Sequence, residues 1–130
     1  MLESRPLEEL PRTRTVLIVE DDRDIGEFLV CVVEDEMHAH ALLARDGHEA
    51  LECIGDRTPE FLLLDYQLPG MNGLELYDQL QNKEELKAVP TLFISANPPR
   101  KELERRNLQY IAKPFELDDL LKTLKDLLAE

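Results

Sequence analysis

The stretch FLLLDYQLPG, residues 61–70, combines the pattern of a buried strand with a charge that such a strand does not need. Its first four residues are apolar, which is typical of a short strand covered on both faces. Asp65 follows directly, and a carboxylate at the end of a buried strand costs free energy unless a partner uses its charge. The Leu-Pro-Gly that comes next predicts a turn. The stretch therefore indicates a buried strand that presents a functional carboxylate at its end.

On both sides of this stretch, strand patterns alternate with helix patterns five times. The predicted strands cover residues 15–19, 38–44, 60–65, 89–95 and 108–113, and the predicted helices cover residues 23–36, 46–55, 73–81, 97–106 and 116–130. In the first helix, an apolar stripe that includes Ile25 and Phe28 is predicted to face the core. Parallel strands need crossover connections, so this alternation predicts an α/β fold: a doubly wound five-stranded parallel sheet with helices on both faces.

The chain of 130 residues is long enough for one domain and too short for two. We expect residues 1–14, which mix charge and proline, to be a flexible leader, and residues 15–130 to be the domain. No apolar run approaches the roughly 20 residues of a membrane span, and the leader lacks the apolar centre of a secretory signal. Cys31 and Cys53 lack the close spacing of a metal or redox pair, so we expect buried thiols of a cytoplasmic protein.

The chain is strongly acidic, with 28 acidic and 15 basic residues and a net charge of -13. Because neutralising phosphates requires a basic face, this balance argues against nucleic acid as a direct partner. It argues equally against an anionic membrane surface. Most of the excess charge is expected on the solvated surface.

Polar and charged side chains follow four of the five predicted strands. They are Glu20, Asp21 and Asp22 after the first strand, Asp65 after the third, Ser95 at the end of the fourth and Lys113 at the end of the fifth. The carboxyl ends of parallel strands lie at one edge of the sheet, where ligands bind, so these side chains are predicted to share a crevice. One lysine cannot balance four carboxylates, whereas Mg²⁺ can. A carboxylate in such a site can attack phosphorus and form an acyl phosphate.

Five segments of the chain resemble the motifs of the response-regulator receiver domain, the CheY-like, flavodoxin-like module of two-component signalling. They are VLIVEDDRDI (16–25), ARDGHEAL (44–51), LLLDYQLPGMNGLEL (62–76), TLFISA (91–96) and YIAKPF (110–115). The segments follow the family's order and cover nearly the whole chain from Thr15 onward. The resemblance implies a phosphoprotein that receives a phosphoryl group from a histidine kinase or a histidine phosphotransfer protein. It also implies that phosphorylation switches a surface that binds a downstream protein.

The resemblance implies a role for each matched residue in handling phosphate. Asp65 matches the phosphoacceptor. Ser95 and Lys113 match the hydroxyl and the ammonium that bind the phosphoryl group. Tyr110 matches an aromatic switch that moves with Ser95, although a plain core aromatic remains an open alternative. The resemblance also implies a cis bond between Lys113 and Pro114.

The resemblance implies a magnesium site made of Glu20, Asp21, Asp65 and the backbone carbonyl of Gln67. It implies that Asp21 ligates the ion directly and that Glu20 acts largely through water. Asp22 is a further acidic candidate, at a position where the family varies. It can instead cap the first helix.

The stretch from Ser95 to Lys113 is several residues shorter than in most receivers. We therefore expect helix four to be short or displaced, with Asn97 as its cap. Many receivers dimerise or contact their outputs through that helix, so the oligomeric state stays open, and so does the coupling between Ser95 and Tyr110.

Two other functions compete with the phosphoacceptor interpretation. An aspartyl-phosphate phosphatase of the haloacid-dehalogenase type uses a second acid two residues after its nucleophile, whereas this chain has Gln67 there and lacks room for a substrate cap. A degenerate receiver that acts only as an adaptor would have lost site residues, whereas every acidic, hydroxyl and lysine position is filled. The expectation is a signalling phosphoacceptor that assists its own phosphorylation and dephosphorylation, rather than an enzyme with a separate substrate.

Overall fold

The computed structural model describes residues 14–55 and 57–128. Five strands form one parallel sheet in the order β2-β1-β3-β4-β5. Their bounds are β1 Thr15–Val19, β2 His40–Ala44, β3 Phe61–Asp65, β4 Thr91–Ser95 and β5 Gln109–Ala112. Every residue of β3 and β4 is buried, which explains the apolar runs at residues 61–64 and 92–94. The predicted fold class is confirmed.

Five α-helices connect or follow the strands. Their bounds are α1 Arg23–Glu36, α2 Gly47–Cys53, α3 Gly73–Gln81, α4 Arg100–Arg105 and α5 Leu117–Leu128, and a 3-10 turn at Glu84–Leu86 precedes β4. Successive side chains of a strand point to opposite faces of the sheet. Leu17 and Val19 of β1 accordingly pack with α2, α3 and α4, whereas Val16 and Ile18 pack with α1 and α5. The doubly wound sheet thus has one apolar layer on each face.

The strand and helix predictions agree with these bounds to within a few residues. As predicted, α4 is short, with six residues. The prediction that Asn97 caps α4 was wrong, because Pro99 occupies the N-cap position and makes no side-chain hydrogen bond there. Most of the predicted leader, residues 1–13, and the predicted helical end at residues 129–130 lie outside the described residues.

Two side chains of α1 are more exposed than the sequence pattern predicts. Phe28 is 41% exposed, because it lies at the margin of the apolar stripe and packs sideways on Phe115 at 6.2 Å between ring centroids. Cys31 is also exposed, so its predicted burial was wrong, and Cys53 is half-buried; both are free cysteines. Among the described residues, no helix combines the length and the apolar character needed to cross a membrane.

Candidate functional site

The carboxyl ends of β1, β3, β4 and β5 bring four polar side chains to one edge of the sheet. Glu20 follows β1 and is 2% exposed, Asp65 ends β3 and is 5% exposed, and Ser95 ends β4 and is fully buried. Lys113 follows β5, and its backbone N–H donates to the Ser95 carbonyl at 2.9 Å, which continues the β4–β5 pairing. The peptide bond between Lys113 and Pro114 is cis, as predicted. The strand order therefore assembles the crevice that the sequence predicts.

The Lys113 ammonium joins the two buried carboxylates. Its Nζ lies 2.7 Å from Glu20 Oε1 and 3.1 Å from Asp65 Oδ2. Glu20 comes from β1 and Asp65 from β3, which are neighbours in the sheet. The lysine thus offsets part of the repulsion between two acids that would otherwise be expensive to bury together.

Burial dominates the electrostatics of this group. Burial raises the pKa of Glu20 from 4.5 to about 7, against the hydrogen bond from Lys113, while the negative charge of Asp65 adds to the rise. Burial alone would lower the pKa of the Lys113 ammonium, but the hydrogen bond to Glu20 and the charge of Asp65 outweigh it, so the net pKa is raised. The lysine therefore remains a cation, whereas Glu20 is poised to lose its proton near neutral pH.

The loop after β3 fixes the Asp65 carboxylate from the other side. The Gln67 backbone N–H donates to Asp65 Oδ1 at 3.0 Å. This contact uses the Gln67 N–H and not its carbonyl. The role of the Gln67 carbonyl as a metal ligand stays a prediction. Gly70 turns the chain with a φ of 79°, a left-handed backbone that suits glycine. Asn72 caps α3 in a capping box with Glu75, so Asp65 does not serve as the cap of this helix.

Glu20, Asp21 and Asp65 form the one group of potential metal ligands found among the described histidines, cysteines and acids. One oxygen of each carboxylate lies within 4.8 Å of the others. Mg²⁺ binds hard oxygen ligands, usually through one or two carboxylates together with water and phosphate oxygens. Asp21 is exposed, which leaves the outer side of the group open to water. The chemistry of these donors therefore fits Mg²⁺.

Asp22 is not part of this group and serves the site differently. Its Oδ1 accepts a hydrogen bond from the Ile25 N–H at 3.1 Å and caps α1. Its backbone N–H donates to Glu20 Oε2 at 3.1 Å. The Asp22 side chain thus caps α1, as the alternative interpretation predicts, and is not placed with the metal ligands. The cap also orients the Asp22 backbone N–H, which binds the Glu20 carboxylate.

Ser95 and Tyr110 do not contact each other through their hydroxyl groups. Ser95 Oγ accepts from the Asn97 backbone N–H at 3.2 Å, a contact that the sequence did not point to. The Tyr110 hydroxyl donates to Glu104 Oε2 at 2.6 Å, and its half-buried ring lies under the guanidinium of Arg100. The Tyr110 hydroxyl is therefore hydrogen-bonded to a side chain of α4 and not to Ser95.

An apolar cleft of about 470 Å³ adjoins the acidic crevice. Ile25, Phe28, Ala96, Lys113, Pro114 and Phe115 line it. Lys113 belongs to both the cleft and the crevice, so the two are continuous. Sequence reasoning missed this cleft because it assigned Phe28 to the core. The signal in the sequence that could have indicated this cleft is a second aromatic residue, Phe115, which directly follows the cis proline.

Comparison with known proteins gives consistent results. A family model described as the response regulator receiver domain matches residues 16–125. The chain is 30% identical over 122 residues to the polar-differentiation response regulator DivK of Brucella ovis, covering 91% of this chain and 98% of DivK. It is 36% identical over 117 residues to the Regulator of RpoS of Escherichia coli, covering 88% of this chain and 32% of that protein.

Solved structures are similar over the same range. The non-phosphorylated HemR receiver domain of Leptospira biflexa has a TM-score of 0.78 and 28% identity, covering 91% of this chain and 96% of that one. The chemotaxis response regulator CheY4 of Vibrio cholerae has a TM-score of 0.77 and 26% identity, covering 88% and 98%. These matches confirm the resemblance found in the sequence, and they give no support to a haloacid-dehalogenase phosphatase.

Proposed function

Since this chain belongs to the response-regulator receiver family, we propose that Asp65 accepts a phosphoryl group from a phosphohistidine of a kinase or phosphotransfer protein. The observation that carries this proposal is the setting of Asp65. It is a buried carboxylate whose two oxygens are held by Lys113 and by the Gln67 N–H, beside two further acids. A structural carboxylate would not need to be buried next to like charges.

In the proposed reaction an Asp65 oxygen forms a bond to phosphorus while the bond between phosphorus and the donor's imidazole nitrogen breaks. The electron pair stays with that nitrogen, which takes up a proton, and the product is an acyl phosphate on Asp65. Lys113 already contacts Asp65 Oδ2, so its ammonium is placed to bind an oxygen of the incoming group. Ser95 Oγ accepts from the Asn97 N–H, which leaves the Ser95 hydroxyl hydrogen for another phosphoryl oxygen.

Glu20, Asp21 and Asp65 would hold Mg²⁺, with the Gln67 carbonyl as the proposed fourth ligand. When bound, the ion would supply positive charge to the phosphoryl oxygens. The chain's own contribution is to keep these carboxylates together. Lys113 and the Asp22 N–H orient Glu20, and the capped start of α1 fixes the Asp22 peptide.

The apolar cleft supports a protein as the natural donor. Phe28 is one of two large hydrophobic side chains that are exposed in the described part of the chain, and its cleft meets the crevice at Lys113. Exposed apolar patches mark protein interaction sites, and aromatic residues are enriched at protein–protein interfaces. We propose that the donor lays its histidine-bearing face on this cleft.

The proposed output is a change of protein-interaction surface. A phosphoryl group brings additional negative charge to a crevice that is already acidic, and Ser95 would move to bind it. Tyr110 would follow, and a downstream protein would read the altered surface. We place the receiver domain at residues 15–130 and the protein in the cytoplasm, where both cysteines would stay as thiols.

The proposal is tested with Mg²⁺ and the small phosphodonor acetyl phosphate. We expect one base-labile phosphate on the wild type and none on Asp65→Asn. Asp35→Asn, at an exposed acid of α1 outside the site, is the matched control and should label like the wild type. Failure of the wild type to label at any Mg²⁺ concentration would sink the proposal. Rapid multiple turnover of phosphate esters would instead indicate a phosphatase.

A further inference from the structure

Two residues of α4 contact the aromatic ring and the hydroxyl of Tyr110. The Tyr110 hydroxyl donates to Glu104 Oε2 at 2.6 Å. The Arg100 guanidinium carbon lies 5.4 Å from the centre of the Tyr110 ring, a cation–π contact. One contact fixes the tip of the side chain and the other covers its face. A single helix of six residues therefore supplies both of these contacts to the aromatic side chain.

The helix that makes these contacts is itself fastened to the rest of the domain. Arg106, directly after α4, forms a two-pronged ion pair with Asp78 of α3, at 2.7 Å and 3.2 Å. The same guanidinium reaches back to Glu102 at 2.7 Å. Leu103, on the inner face of α4, is fully buried. Because α4 is anchored by both charge and burial, Glu104 and Arg100 are held in place rather than free to follow Tyr110.

We propose that Glu104 and Arg100 are positioning residues that clamp Tyr110 in its present half-buried orientation and so bias the domain toward its resting state. This inference rests on the proposed function, in which Tyr110 moves inward after Asp65 is phosphorylated. The inward arrangement then forms at the expense of both contacts to α4. A partly exposed hydrogen bond to a carboxylate and an exposed cation–π contact each bias such an equilibrium by about fivefold. The short helix α4 thus stabilises the resting orientation of Tyr110.

The first measurement follows the position of the Tyr110 ring in the unphosphorylated protein. The chain has three tyrosines, so ring resonances of ¹³C-tyrosine-labelled protein are few, and Tyr110→Phe assigns the one of interest. We expect Glu104→Ala and Arg100→Ala to shift the Tyr110 resonances in the same direction as phosphorylation shifts them in the wild type. Lys101→Ala, an exposed cation of the same helix that is described in no contact with Tyr110, is the control.

The second measurement is the rate of labelling by acetyl phosphate. Glu104→Ala and Arg100→Ala should each label about three to ten times faster than the wild type, with Lys101→Ala unchanged. In the Tyr110→Phe background, which lacks the hydroxyl, Glu104→Ala should have no further effect. A merely structural role for Glu104 would lower stability without this dependence on Tyr110.

The two measurements separate failure of the clamp from failure of the proposed function. Unchanged Tyr110 resonances in both α4 variants overturn the clamp, whatever the labelling shows. Shifted resonances with labelling equal to that of Lys101→Ala overturn its regulatory role. Absence of labelling in the wild type overturns the proposed function instead.

Discussion

Replacing Gly73 by alanine should disturb the segment that presents Asp65. A Cβ at Gly73 would lie 2.4 Å from the Asp65 carbonyl oxygen and 2.8 Å from Tyr66 Cα. Both neighbours are backbone atoms, so neither can rotate away, and the start of α3 must move from β3. The Gly73 N–H that donates to the Tyr66 carbonyl at 2.8 Å would move with it. Overpacking of this kind costs about 2 kcal/mol, which corresponds to roughly 7 °C in the thermal midpoint of a chain of this length.

The displacement should also reach the chemistry, because the clash falls on the carbonyl of the nucleophile itself. We expect Gly73→Ala to slow acetyl phosphate labelling by about tenfold or more, measured at a temperature where the variant is folded. Urea titration gives the free energy of unfolding, and quantitative labelling gives the rate.

Gly70→Ala is the matched control in the same loop. Gly70 has a φ of 79° and open space around it, so alanine there strains the backbone by about 1 kcal/mol without pressing on Asp65. Both variants should lose stability, but only Gly73→Ala should label slowly. If Gly73→Ala is as stable as the wild type, or labels no more slowly than Gly70→Ala, the close approach to Asp65 is not what glycine provides at this position.

Three further predictions use other contacts of the site. Burial raises the pKa of Glu20 from 4.5 to about 7, so its ionisation opposes folding, and its contribution to stability falls as the pH rises from 4.5 through 7. Glu20→Gln should therefore gain about 3 kcal/mol in urea titrations at pH 8 with a metal chelator and almost nothing at pH 4; a loss at pH 8 would contradict this. Phe28→Ser should reduce phosphotransfer from any phosphohistidine protein that labels the wild type by about tenfold. It should leave labelling by acetyl phosphate unchanged, and an equal loss with both donors would speak against docking on the cleft. Arg106→Ala and Asp78→Asn should each cost about 1 kcal/mol, with a coupling energy of about 0.5–1 kcal/mol in a double-mutant cycle of urea titrations. Strict additivity would show that this ion pair does not fasten α4.

The positions of Glu20, Asp65, Ser95 and Lys113 could be predicted because each is tied to the end of a strand. In a parallel sheet, the register of the apolar residues also fixes where the following polar residue lies. The shortness of α4 could be predicted because the stretch between Ser95 and Lys113 is several residues shorter than in the family that the sequence resembles. The inferences at the strand ends need only local patterns and a general rule of sheet geometry.

Asp22, Phe28 and Asn97 were harder to place because their contacts depend on the third dimension. An acid next to an acidic pair can ligate a metal or cap a helix, and the choice depends on how α1 leaves β1. A phenylalanine at the margin of an apolar stripe is buried or exposed according to what lies beside it, here another aromatic from a distant loop. Asn97 approaches Ser95 instead of capping α4, because two prolines separate it from the first turn.

Tyr110 shows most clearly where local inference ends. Its place on β5, opposite Phe93 of β4, follows from the strand pattern. In the proposed switch its orientation depends on α4. Burial of Leu103 and an ion pair between Arg106 and Asp78, which are 28 residues apart, anchor this helix. The chemistry of the site is thus determined by short segments that end strands. The resting state of the proposed switch is determined by contacts between distant helices, so changes in α3 or α4 can retune it while Asp65 and its neighbours remain the same.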